Sequence, residues 1–347
     1  MSEMDLHQTL ANLAAELSEV KRQLAETNQR LDSLGAPRPS TTPLPKIDTI
    51  SAHRDGVSFV AIAPDGQRLI SAGKDGTVKT WNLNTGELER TRSKPYSSGK
   101  DIKGFAASAD SSVIAGCEGR NVWIWDSRTG EQAHILVSEK QGISCVAVSL
   151  DGQLLALRTG SQVKVYDVVS GQCQSSLESE HRVHGGIAIS ADKLLVAVGD
   201  FSDGMEMWGI KTGRQISVIP SHKGFRGEVC ALAFSPVQES TIFAISTYNK
   251  SIKIFDSNTG ELLRSLYGHS GSIKSIAISA NGKVIASGSS DSTVRAWDLS
   301  TGSLIGVLSS HLKAVNYLYL SQDGQLIASG SDDGTVKIWR PDIRVGQ

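Results

Sequence analysis

Paired cysteines are missing from this sequence. Its four, Cys117, Cys145, Cys173 and Cys230, never fall two residues apart and have no histidine at zinc-ligand spacing, which excludes a cysteine-based metal site or a dithiol redox motif. Neither charge is in excess: 35 Lys and Arg stand against 36 Asp and Glu. Without an overall basic field the chain has no general means of holding nucleic acid or an anionic membrane. No apolar run approaches the roughly 18 residues of a membrane span, and the N-terminus lacks the charged, apolar and small-residue order of a secretory signal. The expectation is a soluble cytoplasmic chain with free thiols, the nucleus being the other compartment open to it. Catalytic signatures are wanting too. The sequence has no glycine-rich phosphate loop with a Lys-Ser or Lys-Thr end, no His-Glu-x-x-His, and no cysteine with a matching histidine segment, so no enzyme activity, cofactor or metal is expected.

Repetition fills the space that these absences leave. Aromatic residues end short β-type runs at Trp81, Trp125, Tyr166, Trp208, Phe255, Trp297 and Trp339, a period near 42 residues. Five positions after each of the first six stands a glycine (Gly86, Gly130, Gly171, Gly213, Gly260, Gly302), preceded by Thr or Ser, where a hairpin turn needs a positive φ. Upstream of the aromatics, turns such as "PDGQ" at 64–67 and "LDGQ" at 150–153 separate two more apolar runs. Each unit therefore reads as four short antiparallel strands.

The segments "LIASGSDDGTVKIW" at 326–339 and "GHSGSIKSIAISANGKVIASGSSDSTVRAWD" at 268–298 share a Ser-x-Asp turn and a terminal Trp in phase, and the second opens on glycine-histidine. They resemble WD repeats, the blades of a β-propeller, and the resemblance covers residues 46 to about 340 in seven units. It implies an all-β, seven-bladed β-propeller whose last blade is completed by an N-terminal strand. The spacing agrees with such closure. Apolar residues stand six and three positions before a blade's histidine at Ile216 and Ile219 (His222), Leu263 and Leu266 (His269), and Ile305 and Leu308 (His311); Ile47 and Ile50 hold the same offsets before His53. "KIDTIS" at 46–51 is thus the expected closing strand, and closure removes an exposed sheet edge.

Three units hold a Ser, a His and an Asp at fixed offsets, each with its Trp: His53, Ser71, Asp75 and Trp81; His269, Ser287, Asp291 and Trp297; His311, Ser329, Asp333 and Trp339. A hydrolase triad uses the same residue types. Three copies in one chain argue for a structural network instead, as the matching tetrad does in WD repeats. The middle units depart from the pattern. Unit 2 reads "AGCEGRNVWIWD" and unit 3 "LRTGSQVKVYD", unit 4 offers His181 or His184 with Asp203 out of register, and unit 5 keeps His222 but has Asn249 and Phe255. Two readings follow: drift in a tolerant fold, or blades freed to build a partner-specific surface.

Residues 1–35 follow another period. Leu6, Leu10, Leu13, Leu17, Val20, Leu24, Leu31 and Leu34, with Thr27 in the one remaining place, fall in four-three alternation, the heptad seam of a left-handed α-helical coiled coil. Residues 36–45, "APRPSTTPLP", read as a proline-rich spacer, and 46–343 as the propeller. The expected function is a non-enzymatic scaffold that self-associates through the coiled coil as a homo-oligomer and binds proteins on the propeller face bearing the blade-to-blade connections. Competing readings are a dedicated subunit of one stable complex, and an enzyme with a site in the propeller channel. The connections on that face are rich in basic residues, so acidic or mixed-charge partners are expected, with Lys94, Tyr96, Lys100, Lys103, Arg182, Lys223, Phe225, Arg226, Tyr248 and Lys274 as candidate contacts. Phe225, between two cations in "SHKGFRGEVC", is either an interaction hot spot or a plug for an irregular blade.

Overall fold

The structure, a computed structural model, describes residues 46–63, 66–93, 104–108, 111–126, 131–179, 186–199, 204–220, 229–237, 240–247, 249–309, 311–321 and 326–340. The heptad segment 1–35 and the spacer 36–45 lie outside these residues. Within them the chain forms seven four-stranded antiparallel sheets. Blade 1 consists of Val57–Ile62, Arg68–Gly73, Thr77–Asn82 and Leu88–Ser93, from innermost to outermost strand. Blade 2 runs from Gly104–Ala107 to Glu131–Ser138, blade 3 from Ile143–Val148 to Cys173–Glu178, and blade 4 from Ile187–Ile189 to Gln215–Pro220. Blade 5 runs from Val229–Phe234 to Leu262–Leu266 and blade 6 from Ile273–Ile278 to Leu304–Ser309.

Blade 7 supplies only three strands in sequence order, Val315–Leu320, Ile327–Ser331 and Thr335–Trp339, and its outer strand is Lys46–Ser51. Ile50 lies opposite Val336 and Thr49 opposite Lys337, so the expected closing strand closes the ring. The predicted turn conformation is present as well. Gly86 and Gly302 have φ of 73° and 76°, and around Gly86 a side chain would meet nothing within 4 Å. Backbone conformation, not crowding, calls for glycine there.

The buried apolar residues fall into seven clusters, each filling one seam between neighbouring blades. Strand alternation causes this. One face of each sheet packs on the preceding blade and the other on the following one, so both faces are apolar at the inner strands. The offsets of six and three resolve into different environments. The residue three before the histidine is buried, as at Ile50, Ile219, Leu266 and Leu308. The residue six before it occupies a β-bulge in the outer strand, at Ile47, Ile216, Leu263 and Ile305, and Ile216 and Leu263 are 56% and 47% exposed. A bulge lets residues three apart recur as a pair in a structure whose side chains otherwise alternate.

Candidate protein-interaction face

The three tetrads form in blades 1, 6 and 7. Trp81 Nε1–H donates to Ser71 Oγ at 2.9 Å, and Ser71 Oγ lies 2.8 Å from His53 Nε2. His53 Nδ1 is 3.0 Å from Asp75 Oδ1. Indole N–H can only donate, so the serine oxygen accepts from it and its own hydrogen goes to Nε2, which puts the imidazole proton on Nδ1 facing the carboxylate. The other two repeat the chain: Trp297 to Ser287 at 3.1 Å, Ser287 to His269 at 2.8 Å and His269 to Asp291 at 2.8 Å; Trp339 to Ser329 at 3.0 Å, Ser329 to His311 at 2.8 Å and His311 to Asp333 at 2.9 Å. Ser71, Ser287 and Ser329 are fully buried. A serine oxygen sealed in this way and already holding an indole proton cannot meet a substrate carbonyl, so the arrangement fixes strands and loops rather than attacking a bond.

Sequence reasoning missed a fifth member. Thr77, Thr293 and Thr335 each donate a hydroxyl hydrogen to the tetrad aspartate, at 2.7, 2.7 and 2.6 Å. Its signal was present, since each threonine stands two positions after the aspartate. On its other side the carboxylate accepts the amide of the residue after the histidine, as in Leu312 N–H to Asp333 at 2.9 Å. The aspartate thereby ties a blade-to-blade connection to the turn beside it. In all three blades burial lowers the histidine pKa more than the aspartate raises it, keeping the ring neutral.

Blades 2 to 5 solve the same packing problem with apolar or substitute groups. The strand register places Gly116, Leu157, Val198 and Ile245 where the tetrads have serine. Ile245 packs with Phe243 and Phe255, whose rings stack at 5.4 Å. Tyr166 in blade 3 donates its hydroxyl to Glu139, which also accepts from Lys164 Nζ at 2.8 Å. In blade 4 Trp208 Nε1–H turns to Glu206 Oε2 at 3.1 Å. His181, His184, Asp203 and His222 lie outside the described residues.

The connections between blades and the turns between second and third strands share one face of the ring. There a belt crosses blades 6, 7 and 1. Lys274 and Asn316 each occupy a bulge at the start of an inner strand, which aims their side chains along the rim of the face. Lys274 Nζ donates to Asn316 Oδ1 at 2.9 Å. Asn316 donates to Asp332 at 2.6 Å and to the Val57 carbonyl at 3.0 Å, and Lys74 Nζ donates to Asp332 at 2.6 Å. Burial opposes ionisation of Asp332, but the hydrogen bonds from Lys74 and Asn316 outweigh it and lower its pKa. The acid that weakens the basic character of the face is thus held between two lysines.

Lys274, one of the candidate contacts, is therefore engaged sideways as well as open to solvent. Lys94, Tyr96, Lys100, Lys103, Arg182, Lys223, Phe225, Arg226 and Tyr248 lie outside the described residues. Two residues that sequence reasoning passed over stand out on the same face. Tyr267 and Leu312, in the connections entering blades 6 and 7, are 67% and 87% exposed. Their apolar character gives no clue to this in the sequence; only the placement of the connection does. Among the described residues no group of His, Cys, Asp and Glu could hold a metal ion, and no helix is long and apolar enough to cross a membrane.

Seven four-stranded blades, three of them with a histidine-centred tetrad, are the architecture of a WD-repeat β-propeller. The family described as "WD domain, G-beta repeat" matches residues 45–82, 260–298 and 302–340, the stretches that carry the three complete tetrads, so the chain contains WD40 repeats. Autophagy-related protein 16 of Arabidopsis thaliana is 26% identical over 251 residues, 72% of this chain and 40% of that protein. The periodic tryptophan protein 2 homolog of Dictyostelium discoideum is 24% identical over 235 residues, 67% of this chain and 20% of the relative. Nuclear distribution protein nudF of Aspergillus niger is 28% identical over 125 residues, 34% of this chain and 28% of the relative. The chain thus spans 40% or less of these relatives' length.

Proposed function

We propose that the chain is a non-enzymatic adaptor of the cytoplasm or nucleus. Residues 1–35 bring copies together as a coiled coil, residues 36–45 space them, and the propeller, 46–343, presents its connection-bearing face to protein partners. Exposure of Tyr267 and Leu312 on the face that carries the belt of Lys74, Lys274 and Asp332 is the observation that supports the binding part. Apolar anchors within a polar, charged surround are the usual make-up of an interaction hot spot. A belt with two lysines to one aspartate suits an acidic or mixed-charge segment, and several propellers on one oligomer add avidity to modest single-site affinity.

The testing experiment compares the full chain with one lacking residues 1–35, by light scattering and by affinity capture of partners. The reading expects an oligomer reduced to a folded monomer, with partner capture weakened through lost avidity. Unchanged mass on truncation refutes the coiled coil. Hydrolysis by the purified chain that is abolished by a serine-directed or metal-chelating inhibitor refutes the non-enzymatic part.

A further inference from the structure

One seam of the ring is built unlike the others. In every blade the third strand carries an apolar residue facing the next blade, and the outer strand sets a partner opposite it. In six blades that partner is aliphatic: Val137, Leu177, Ile219, Leu266, Leu308 and, from the closing strand, Ile50. None of the six is more than 8% exposed. Blade 1 has Arg92 instead, opposite Val78, and Arg92 is exposed while Val78 is only partly buried. The residues equivalent to Val78 in the other blades are all fully covered.

Where the aliphatic plug is missing, a cavity opens between blades 1 and 2, about 480 Å³ including its mouth. Phe59, Phe105, Ile114 and Trp125 line it, and Arg90 and Arg92 border it. Its rear wall is firm, since Phe59 and Phe105 stack at 4.8 Å, and Gly116 lets Trp125 lie flat, a Cβ there falling 2.8 Å from the indole. Blade 2 also lacks the serine that tethers the tryptophan in blades 1, 6 and 7.

We propose that this cleft is a second docking site, on the outer rim of the ring, which takes one bulky apolar side chain from an acidic segment of a partner protein. Two features select that occupant. The lining is aromatic and aliphatic, so burying an apolar side chain is what it can reward. The border is two arginines on one face of the outer strand, whose planar guanidinium groups suit carboxylates flanking the inserted residue. Arginine and aromatic residues around a pocket are also the residue types that dominate interface energetics. The inference rests on the chain being a protein-interaction module, but not on the connection-bearing face.

A display library of random peptides, selected on the full chain and counter-selected on Arg92→Leu, tests it. Arg92→Leu restores the plug found in the other six blades. The expected outcome is enrichment of peptides with a bulky apolar residue flanked by Asp or Glu, whose binding falls at least tenfold on Arg92→Leu and on Arg92→Gln. The melting temperature should be unchanged or raised by Arg92→Leu, and Arg92→Gln covers the case in which leucine disturbs folding. Leu312→Asp, on the connection-bearing face, should leave these peptides bound. Peptides without the acidic flank, equal binding to the Arg92 variants, or no enrichment overturns the proposal. So does peptide binding that emerges only with Tyr96→Ala, which would mean that the chain's own 94–103 connection fills the cleft. Peptides lost on Leu312→Asp but not on Arg92→Leu would leave the face as the binding site and remove the cleft.

Discussion

Trp339 donates its indole hydrogen to Ser329, and that single contact anchors a buried chain of four side chains reaching Asp333. Ser329→Ala leaves both the indole N–H and the imidazole of His311 without their partner in a site closed to water. We expect a loss of about 1–3 kcal/mol, the usual cost of leaving buried polar groups unsatisfied. Urea unfolding should show it as a lower midpoint with an unchanged slope. Val198→Ala in blade 4, at the register position that has no polar network, should cost only the lost packing of two methyl groups. A larger loss at Val198 than at Ser329 contradicts the network's role.

The same tetrads set a pH dependence. His53, His269 and His311 lie below the ordinary histidine value of about 6.5 because burial disfavours the imidazolium. A histidine depressed in the folded state contributes stability that is whole above the unfolded value and is lost as pH falls below about 6.5. The aspartates behave in the same sense at lower pH. Burial works against the ionised form of Asp333, but hydrogen bonds from Thr335, the Leu312 amide and His311 prevail and bring it to about 2. Its contribution holds above the ordinary value of about 3.9 and disappears as pH falls toward about 2. The melting temperature should therefore drop in two stages on acidification, and a flat profile between pH 7 and 5 contradicts the buried neutral histidines.

Closure can be cut away. A chain beginning at residue 43 keeps Lys46–Ser51, whereas one beginning at residue 53 removes the outer strand of blade 7 and exposes the edge of Thr335–Trp339. The first should melt cooperatively as a soluble monomer. The second should aggregate or unfold over a broad range. Ile50→Ala, a milder change at a buried site, should cost about 2–5 kcal/mol.

Salt should act on the connection-bearing face. If its lysines steer an acidic or mixed-charge partner, association slows as ionic strength rises through the range in which the Debye length falls below about 10 Å. Lys274→Glu should weaken that partner's binding and its salt dependence together, and Leu312→Asp should weaken it with no change in melting temperature. Binding that ignores salt contradicts the charged part of the proposal.

The sequence displayed the fold because a repeat multiplies each weak signal. One glycine five residues after one aromatic means little, but six in phase define a hairpin at each. Closure was legible for the same reason, through the offset shared by Ile50 and Leu308. The bulges were not, since a bulged residue such as Lys274 looks like any polar position in a strand; its outward aim comes from the backbone of the neighbouring strand. The substitutes in blades 2 to 5 were hidden because Glu139 and Tyr166 meet across 27 residues with no repeated spacing to betray them. Arg92 was visible as a charge but not as an exception, because only the strand register shows that it stands in the place of Leu308.

The pairing of Ile50 with Val336 also sets a schedule. About 290 residues separate the two, and synthesis at roughly 5–20 residues per second places ~15–60 s between their emergence from the ribosome. For that interval the first strand of the ring has no partner. Blades 1 to 6 can each fold from strands already made, but the edge meant for Lys46–Ser51 does not yet exist. The nascent chain must therefore hold an unpaired strand while all seven blades are being made, and the seal of the ring waits for the last of them.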